Sequence, residues 1–73
     1  MKIYEIIIKD YYGYDSYDAH VVCAENEEQA REMCPNGDEG SDTWTKPSNS
    51  DCVEVGTSNE NTPRVILSSF NAG

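Results

Sequence analysis

Residues 18–34, DAHVVCAENEEQAREMC, decide the fold, because their pattern changes from strand to helix midway. In the first part β-type residues alternate, with Val21 and Cys23 on one side and Val22 on the other. This alternation has the period of a half-buried strand. The sequence therefore predicts a strand over residues 18–24.

The second part of this stretch carries the start signal of a helix. Asn26 is a good N-cap, and Gln29 follows three residues later, as in a capping box. Pro35 cannot continue a helix. We therefore expect a helix over residues 27–34. Its apolar stripe would be Ala30, Met33 and Cys34, and its water-facing side chains would be Glu28, Arg31 and Glu32.

Upstream of this stretch, residues 2–9 are rich in Ile and Tyr and have the length of a strand. Tyr4, Ile6 and Ile8 share one face of it. Residues 10–17, DYYGYDSY, contain turn-forming Gly, Asp and Ser. The first two strands are thus expected to form a hairpin with a long tip.

Downstream, residues 36–50 are polar and contain glycine, so we expect a loop there, pinned by Trp44. The segments DCVEVG and RVILSSF predict a third and a fourth strand. The order ββαββ suggests two hairpins joined through a helix. The expected fold is a small α+β domain spanning residues 1–73, with an antiparallel sheet packed by one short helix.

The charge of the chain is concentrated in residues 10–42, which carry ten carboxylates and one base, Arg31. Their difference equals the net charge of −9. With only five Lys and Arg residues in all, direct nucleic-acid binding is not expected. No apolar run is long enough for a membrane span. The acidity points either to a basic partner or to solubility alone.

Residue types that often carry chemistry do not form a recognisable site in this sequence. Cys23, Cys34 and Cys52 match no zinc-ligand spacing, and the acidic loop after residue 36 lacks the glycine and glutamate of a calcium loop. We expect His20 to be half-exposed, the thiols to be buried, and the protein to be a non-enzyme without a cofactor. Three cysteines without a secretory signal suggest the cytoplasm.

Tyrosines alternate with aspartates at the hairpin tip, a composition typical of binding surfaces. Alternatively, Tyr11 and Tyr17 are cross-strand packing pairs. The candidate partner-binding residues are the acids of the tip, helix and loop together with two tyrosines: Asp10, Tyr14, Asp15, Tyr17, Asp18, Glu25, Glu28, Glu32, Asp38, Glu39 and Asp42.

Three segments carry a family resemblance: YDSYDA at residues 14–19, followed by Val21-Val22, then AENEEQAREM, and VILSSFNAG near the end. They resemble small phage and prophage proteins. Size and acidity are also similar to those of anti-CRISPR proteins, several of which mimic DNA and cover the basic surface of a CRISPR effector subunit. Anti-CRISPR families share no common motif, so the resemblance assigns no functional residue.

The resemblance implies a monomeric, stoichiometric inhibitor from a phage or prophage that acts in the bacterial cytoplasm. Its expected target is a basic subunit of a type I CRISPR effector, with type I-C as the first candidate. The alternative is an accessory or structural phage protein that self-associates through a sheet edge, in which the acidity serves only solubility.

Overall fold

The computed structural model describes residues 1–10 and 13–72. Four strands and two helices follow one another along the chain: β1 Lys2–Ile8, β2 Ser16–Ala24, α1 Glu27–Met33, α2 Asp42–Thr45, β3 Ser50–Thr57 and β4 Arg64–Asn71. The α+β class is confirmed, and ββαββ describes the order apart from the extra helix α2.

The four strands form one antiparallel sheet in the order β3-β1-β2-β4. β1 and β2 make the predicted hairpin, but the predicted second hairpin is wrong, because β3 pairs with β1 and β4 with β2. The connection between β3 and β4 crosses the end of the sheet beside Met1. There the Ser58 amide donates to the Met1 carbonyl at 2.7 Å.

The core lies between the sheet and the helices. Tyr4 and Ile6 of β1 and Val22 of β2 are buried on this face. The alternation predicted that Tyr4 and Ile6 share a face and that Val22 lies opposite Val21 and Cys23, but not which face is buried. Ala30 of α1 and Trp44 of α2 close over them. The two most apolar strands thus occupy the centre of the sheet, and the more polar strands form its edges.

Helix α1 begins as its sequence predicted. The Asn26 side chain accepts a hydrogen bond from the Gln29 amide at 2.8 Å. In return the Gln29 side chain accepts from the Glu25 amide at 2.8 Å. Two amide groups that the helix cannot satisfy internally are therefore capped.

Helix α2 was not predicted from the sequence. Its four residues, DTWT, include two β-branched threonines with modest helix propensity. The segment is held in place by Trp44, which is fully buried. The predicted loop over residues 36–50 is therefore pinned by the Trp as expected, but it contains a helical turn.

Two sequence predictions about polar side chains are wrong. Arg31 does not face water: it is 5% exposed. His20, expected to be half-exposed, is fully buried on the helix side of β2. Its ring lies 4.4 Å from the Trp44 ring in an edge-on arrangement and 4.8 Å from the Tyr17 ring. His20 is therefore part of an aromatic cluster under α2.

Candidate protein-binding surface

Ion pairs take up every basic side chain of the protein. The five bridges are Lys2–Glu54, Lys9–Asp51, Arg31–Glu27, Lys46–Asp42 and Arg64–Glu60. The chain has fourteen acidic residues against five bases, and this excess gives the net charge of −9. Most of the acids lie in the tip, in or beside α1, and in the loop.

The acidic loop is docked onto the hairpin tip through Glu39. One carboxylate oxygen of Glu39 accepts from the Tyr17 amide at 2.8 Å. The other accepts from the Gly37 amide and from the Trp44 indole N–H, both at 2.8 Å. The Asp38 amide also donates to the Asp15 carbonyl at 2.8 Å. The tip and the loop, which are more than twenty residues apart in sequence, thus form one surface.

Gly37 permits this close approach. A Cβ atom at this position would clash with the Asp15 carbonyl oxygen and lie 2.9 Å from the Ser16 Cα. Both neighbours are backbone atoms, which cannot turn aside as a side chain can. Any larger residue at position 37 would therefore push the loop away from the tip.

One side of α2 borders a depression lined by acids from two of these segments. Asp10 lies at the start of the tip, two residues after β1, whereas Glu39 and Asp42 come from the loop and the first turn of α2. Ile8 and Asn49 also line the depression. The tip and the loop therefore present their carboxylates side by side.

The other side of α2 borders a groove against α1. Glu27, Glu28 and Glu32 line it on the α1 side, and Thr45 and Pro47 line it opposite. Carboxylates thus flank α2 on both sides. We call the surface formed by Asp10, Glu28, Glu32 and Asp42 the acidic face, in which Asp42 is bridged to Lys46.

The predicted site residues differ in their availability. Tyr14 is 71% exposed, whereas Tyr17 is half-buried against the rings of His20 and Phe70. Glu39 is also half-buried, and its carboxylate is occupied by the loop. The alternative pairing of Tyr11 with Tyr17 involves a residue outside the described ranges. The remaining predicted residues are exposed: Asp10, Asp15, Asp18, Glu25, Glu28, Glu32, Asp38 and Asp42.

Arg31 is the residue of this surface whose role the sequence pattern missed. It pairs with Glu27 at 2.8 Å at the base of the groove. Its guanidinium donates to the Trp44 carbonyl at 3.1 Å, and to the Ser50 hydroxyl and carbonyl at 2.8 and 3.0 Å. It therefore ties α1, α2 and β3 together beneath the carboxylates.

The thiols and the imidazole are placed as core groups. Burial raises the pKa of Cys34 to about 12, and the neighbouring Cys52 adds to this, whereas Arg31 opposes it. Cys23 and Cys34 are buried as predicted, and Cys52 is half-buried. In the described ranges, no three His, Cys, Asp or Glu side chains are grouped so as to hold a metal ion.

His20 is held as a neutral ring. Burial lowers its pKa below 6.5, and the Pro35 backbone, Glu39 and Asp18 offset this only in part. Nδ1 shares a hydrogen bond of 2.7 Å with the Ser68 hydroxyl. Nε2 is buried and reaches no hydrogen-bond partner among the described residues. A charged imidazole would be costly in this position.

The pKa of Glu39 makes a testable link between pH and the docked loop. Burial raises this pKa, but hydrogen bonds from Trp44, Gly37 and Tyr17 outweigh burial and lower it below 4.5. Because the folded pKa is the lower one, Glu39 stabilises the fold fully above pH 4.5, and this stabilisation is lost as the pH falls through the folded pKa.

We therefore expect Glu39→Gln to lower the free energy of unfolding by about 1–3 kcal/mol near neutral pH, because a Gln side chain can accept at only one of the two oxygen positions. The difference from wild type should shrink as the pH falls below 4.5. Urea unfolding of both proteins across this range measures it. Comparing them at the same pH cancels the contribution of the other acids, and a difference that does not change with pH would contradict the assignment.

Comparisons with protein-family models, with curated proteins and with solved structures each gave no match to this chain. Neither helix in the described ranges has the length and apolar character needed to cross a membrane. The arrangement of charge on the surface is therefore the main indication of function.

Proposed function

We propose that this protein is a non-enzymatic, stoichiometric inhibitor whose acidic face covers the basic, nucleic-acid-binding surface of another protein. The observation that carries the proposal is the position of the carboxylates on both sides of α2. Asp10 lies on one side, next to Asp42 of α2 itself, which is bridged to Lys46. Glu28 and Glu32 lie on the other side. A basic groove of the target protein normally binds the closely spaced negative charges of a phosphate backbone. The acidic face would offer that groove negative charges in place of the phosphates.

The face is held rigidly enough to act as a preformed surface. The loop is fixed to the tip by the three hydrogen bonds of Glu39, and α1 is fixed to α2 by Arg31. Tyr14 is exposed and offers contact area with few rotatable bonds. Preorganised charges lose less conformational entropy on binding than mobile ones.

The first target to test is a DNA-binding subunit of a type I CRISPR effector, as the resemblance to anti-CRISPR proteins suggests, with the type I-C large subunit as the first choice. On this proposal the inhibitor is phage-encoded and acts in the host cytoplasm. The charge of −9 supports a protein partner with a basic surface rather than nucleic acid.

Charge reversal on the acidic face tests the mechanism. We expect Glu28→Lys/Glu32→Lys to weaken binding to the purified subunit by about tenfold or more, since each removes an attraction and adds a repulsion. Wild-type binding should also weaken as salt rises from about 50 to 200 mM, and duplex DNA should displace the wild-type protein from the subunit. Titration calorimetry gives the affinities.

The matched control is Asp51→Lys/Glu60→Lys, which changes the net charge by the same amount away from the acidic face. It should bind nearly as well as wild type. Equal loss in both double variants would mean that only total charge matters. An affinity that changes neither with salt nor on reversing Glu28 and Glu32 would overturn the mimicry mechanism.

A further inference from the structure

The sheet is covered by helices on one face only, and the opposite face carries apolar side chains. Cα registers place its side chains in two neighbouring rows across the strands: Val53, Glu5, Val21 and Leu67, then Asp51, Ile7, Ala19 and Ser69. Leu67 is 67% exposed, Val53 54% and Ile7 43%. We call these two rows the open face.

The next row is already covered by the chain itself. Ile3 and Cys23 pair across the two central strands on this side of the sheet, and Cys23 is fully buried. The Met1 sulfur lies 3.7 Å from the Cys23 sulfur, and the Met1 amino group donates to the Ser58 carbonyl at 3.3 Å. Met1 thus closes one end of the face and leaves the two rows open.

A hollow lies at the centre of the open face. Ala19 and Val21 of β2 are half-buried there, and the larger side chains of Ile7 and Leu67 stand at its rim. The small Ala19 side chain next to two large ones leaves a hole beside a knob on the same surface. A surface that carries both can pair with a second copy of itself about a two-fold axis.

The charge of this face differs from that of the helix side. Asp51 is bridged to Lys9, and Arg64 is bridged to Glu60. Glu5 is therefore the one acid of the two rows outside the five ion pairs described above. Two copies can bring these faces together while their acidic faces point apart, whereas contact through the helix side would set carboxylates against carboxylates.

We propose that the open face binds a second copy of this chain, with Leu67 of each copy entering the hollow beside Ala19 of the other. This goes beyond the proposed function and does not depend on it. It replaces the monomer expected from the sequence with a back-to-back dimer that presents two acidic faces outward, so one dimer can engage two basic surfaces.

The size of the face sets the strength of the dimer. Two rows about 7 Å apart occupy roughly 14 Å along the strands, and four strands about 4.8 Å apart span roughly 19 Å, so the open face covers roughly 270 Å² per copy. The two copies together then bury about 540 Å², which is less than stable specific interfaces bury, so the dimer is weak and transient. Glu5 also weakens the pairing, because a carboxylate would be taken out of water at its centre.

Sedimentation velocity over a concentration series up to about 1 mM tests this. Wild type should convert from monomer to dimer, and Leu67→Ser should weaken the dimer by about tenfold or more, because it removes the knob. Val53→Ser should act in the same direction. Both side chains are more than half exposed, so the monomer fold should persist, which circular dichroism checks.

Two further variants separate this face from other modes of association. Tyr14→Ser removes an equally exposed large side chain outside the open face and should leave the dimer unchanged. Glu5→Gln removes the central charge and should tighten it. A strict monomer at the highest concentration would overturn the proposal, as would association that survives Leu67→Ser and Val53→Ser together.

Discussion

We expect Arg31→Ala to lower the free energy of unfolding by about 3–5 kcal/mol, because it leaves buried partners without their donor. The Ser50 hydroxyl and carbonyl and the Trp44 carbonyl would all lose guanidinium hydrogen bonds of 2.8 to 3.1 Å. A domain of this size has little stability to spare. Urea unfolding measures the loss of free energy of unfolding. In a thermal melt the same loss corresponds to a fall in Tm of roughly 12–40 °C.

Two variants show whether geometry or charge is responsible. Lys46→Ala removes a base from the same side of the sheet, but its bridge to Asp42 is exposed, so it should cost less than about 1 kcal/mol. Arg31→Lys keeps the charge but lacks the planar fork, and should fall between these two. If Arg31→Ala cost no more than Lys46→Ala, the guanidinium would not be holding the helices in place.

The sequence was sufficient for the local structure of the two central strands and α1. Alternation in β1 and β2 correctly gave which side chains share a face with Ile6 or lie opposite Val22, since successive side chains of a strand point to opposite faces. The capping pair Asn26 and Gln29 correctly gave the start of α1. These features depend on residues within a few positions of one another, which is why pattern reading found them.

The errors involve contacts between distant segments. Arg31 occupies a helix position that normally faces water, and its acceptors lie 13 and 19 residues further along the chain. His20 is buried because Trp44, from a segment without a helix pattern, covers it. A charged or polar residue is placed inside only when such partners exist, and a single sequence does not reveal them.

The candidate site was predicted in part for the same reason. Acidic composition located the carboxylates of the tip, α1 and the loop, but not which of them are used internally. Glu39 serves the fold through its hydrogen bonds to Gly37, Trp44 and Tyr17. The sheet order could not be predicted from local sequence either. The short β3–β4 connection favours a hairpin, whereas β3 in fact pairs with β1.

Trp44→Ala should lower the free energy of unfolding by about 3–5 kcal/mol, the usual cost of removing a fully buried aromatic side chain. The cost combines the cavity, the lost edge-on contact with His20 and a Glu39 carboxylate without its indole donor. Trp44→Phe keeps most of the ring and loses the N–H group, so it should cost about 1–3 kcal/mol. Circular dichroism in urea follows all three proteins, because Trp44 is the sole tryptophan and its fluorescence is lost with it.

Trp44→Phe also connects the core with the acidic face. It leaves every charge in place but removes one of the bonds that hold the loop carrying Asp38 and Asp42. If the arrangement of the carboxylates governs target binding, Trp44→Phe should bind the target more weakly at unchanged net charge. Glu39→Gln should also lower the free energy of unfolding by less in Trp44→Phe than in wild type, because the two residues share one hydrogen bond. Unchanged binding by a folded Trp44→Phe protein would mean that the amount of charge, rather than the docked loop, determines recognition.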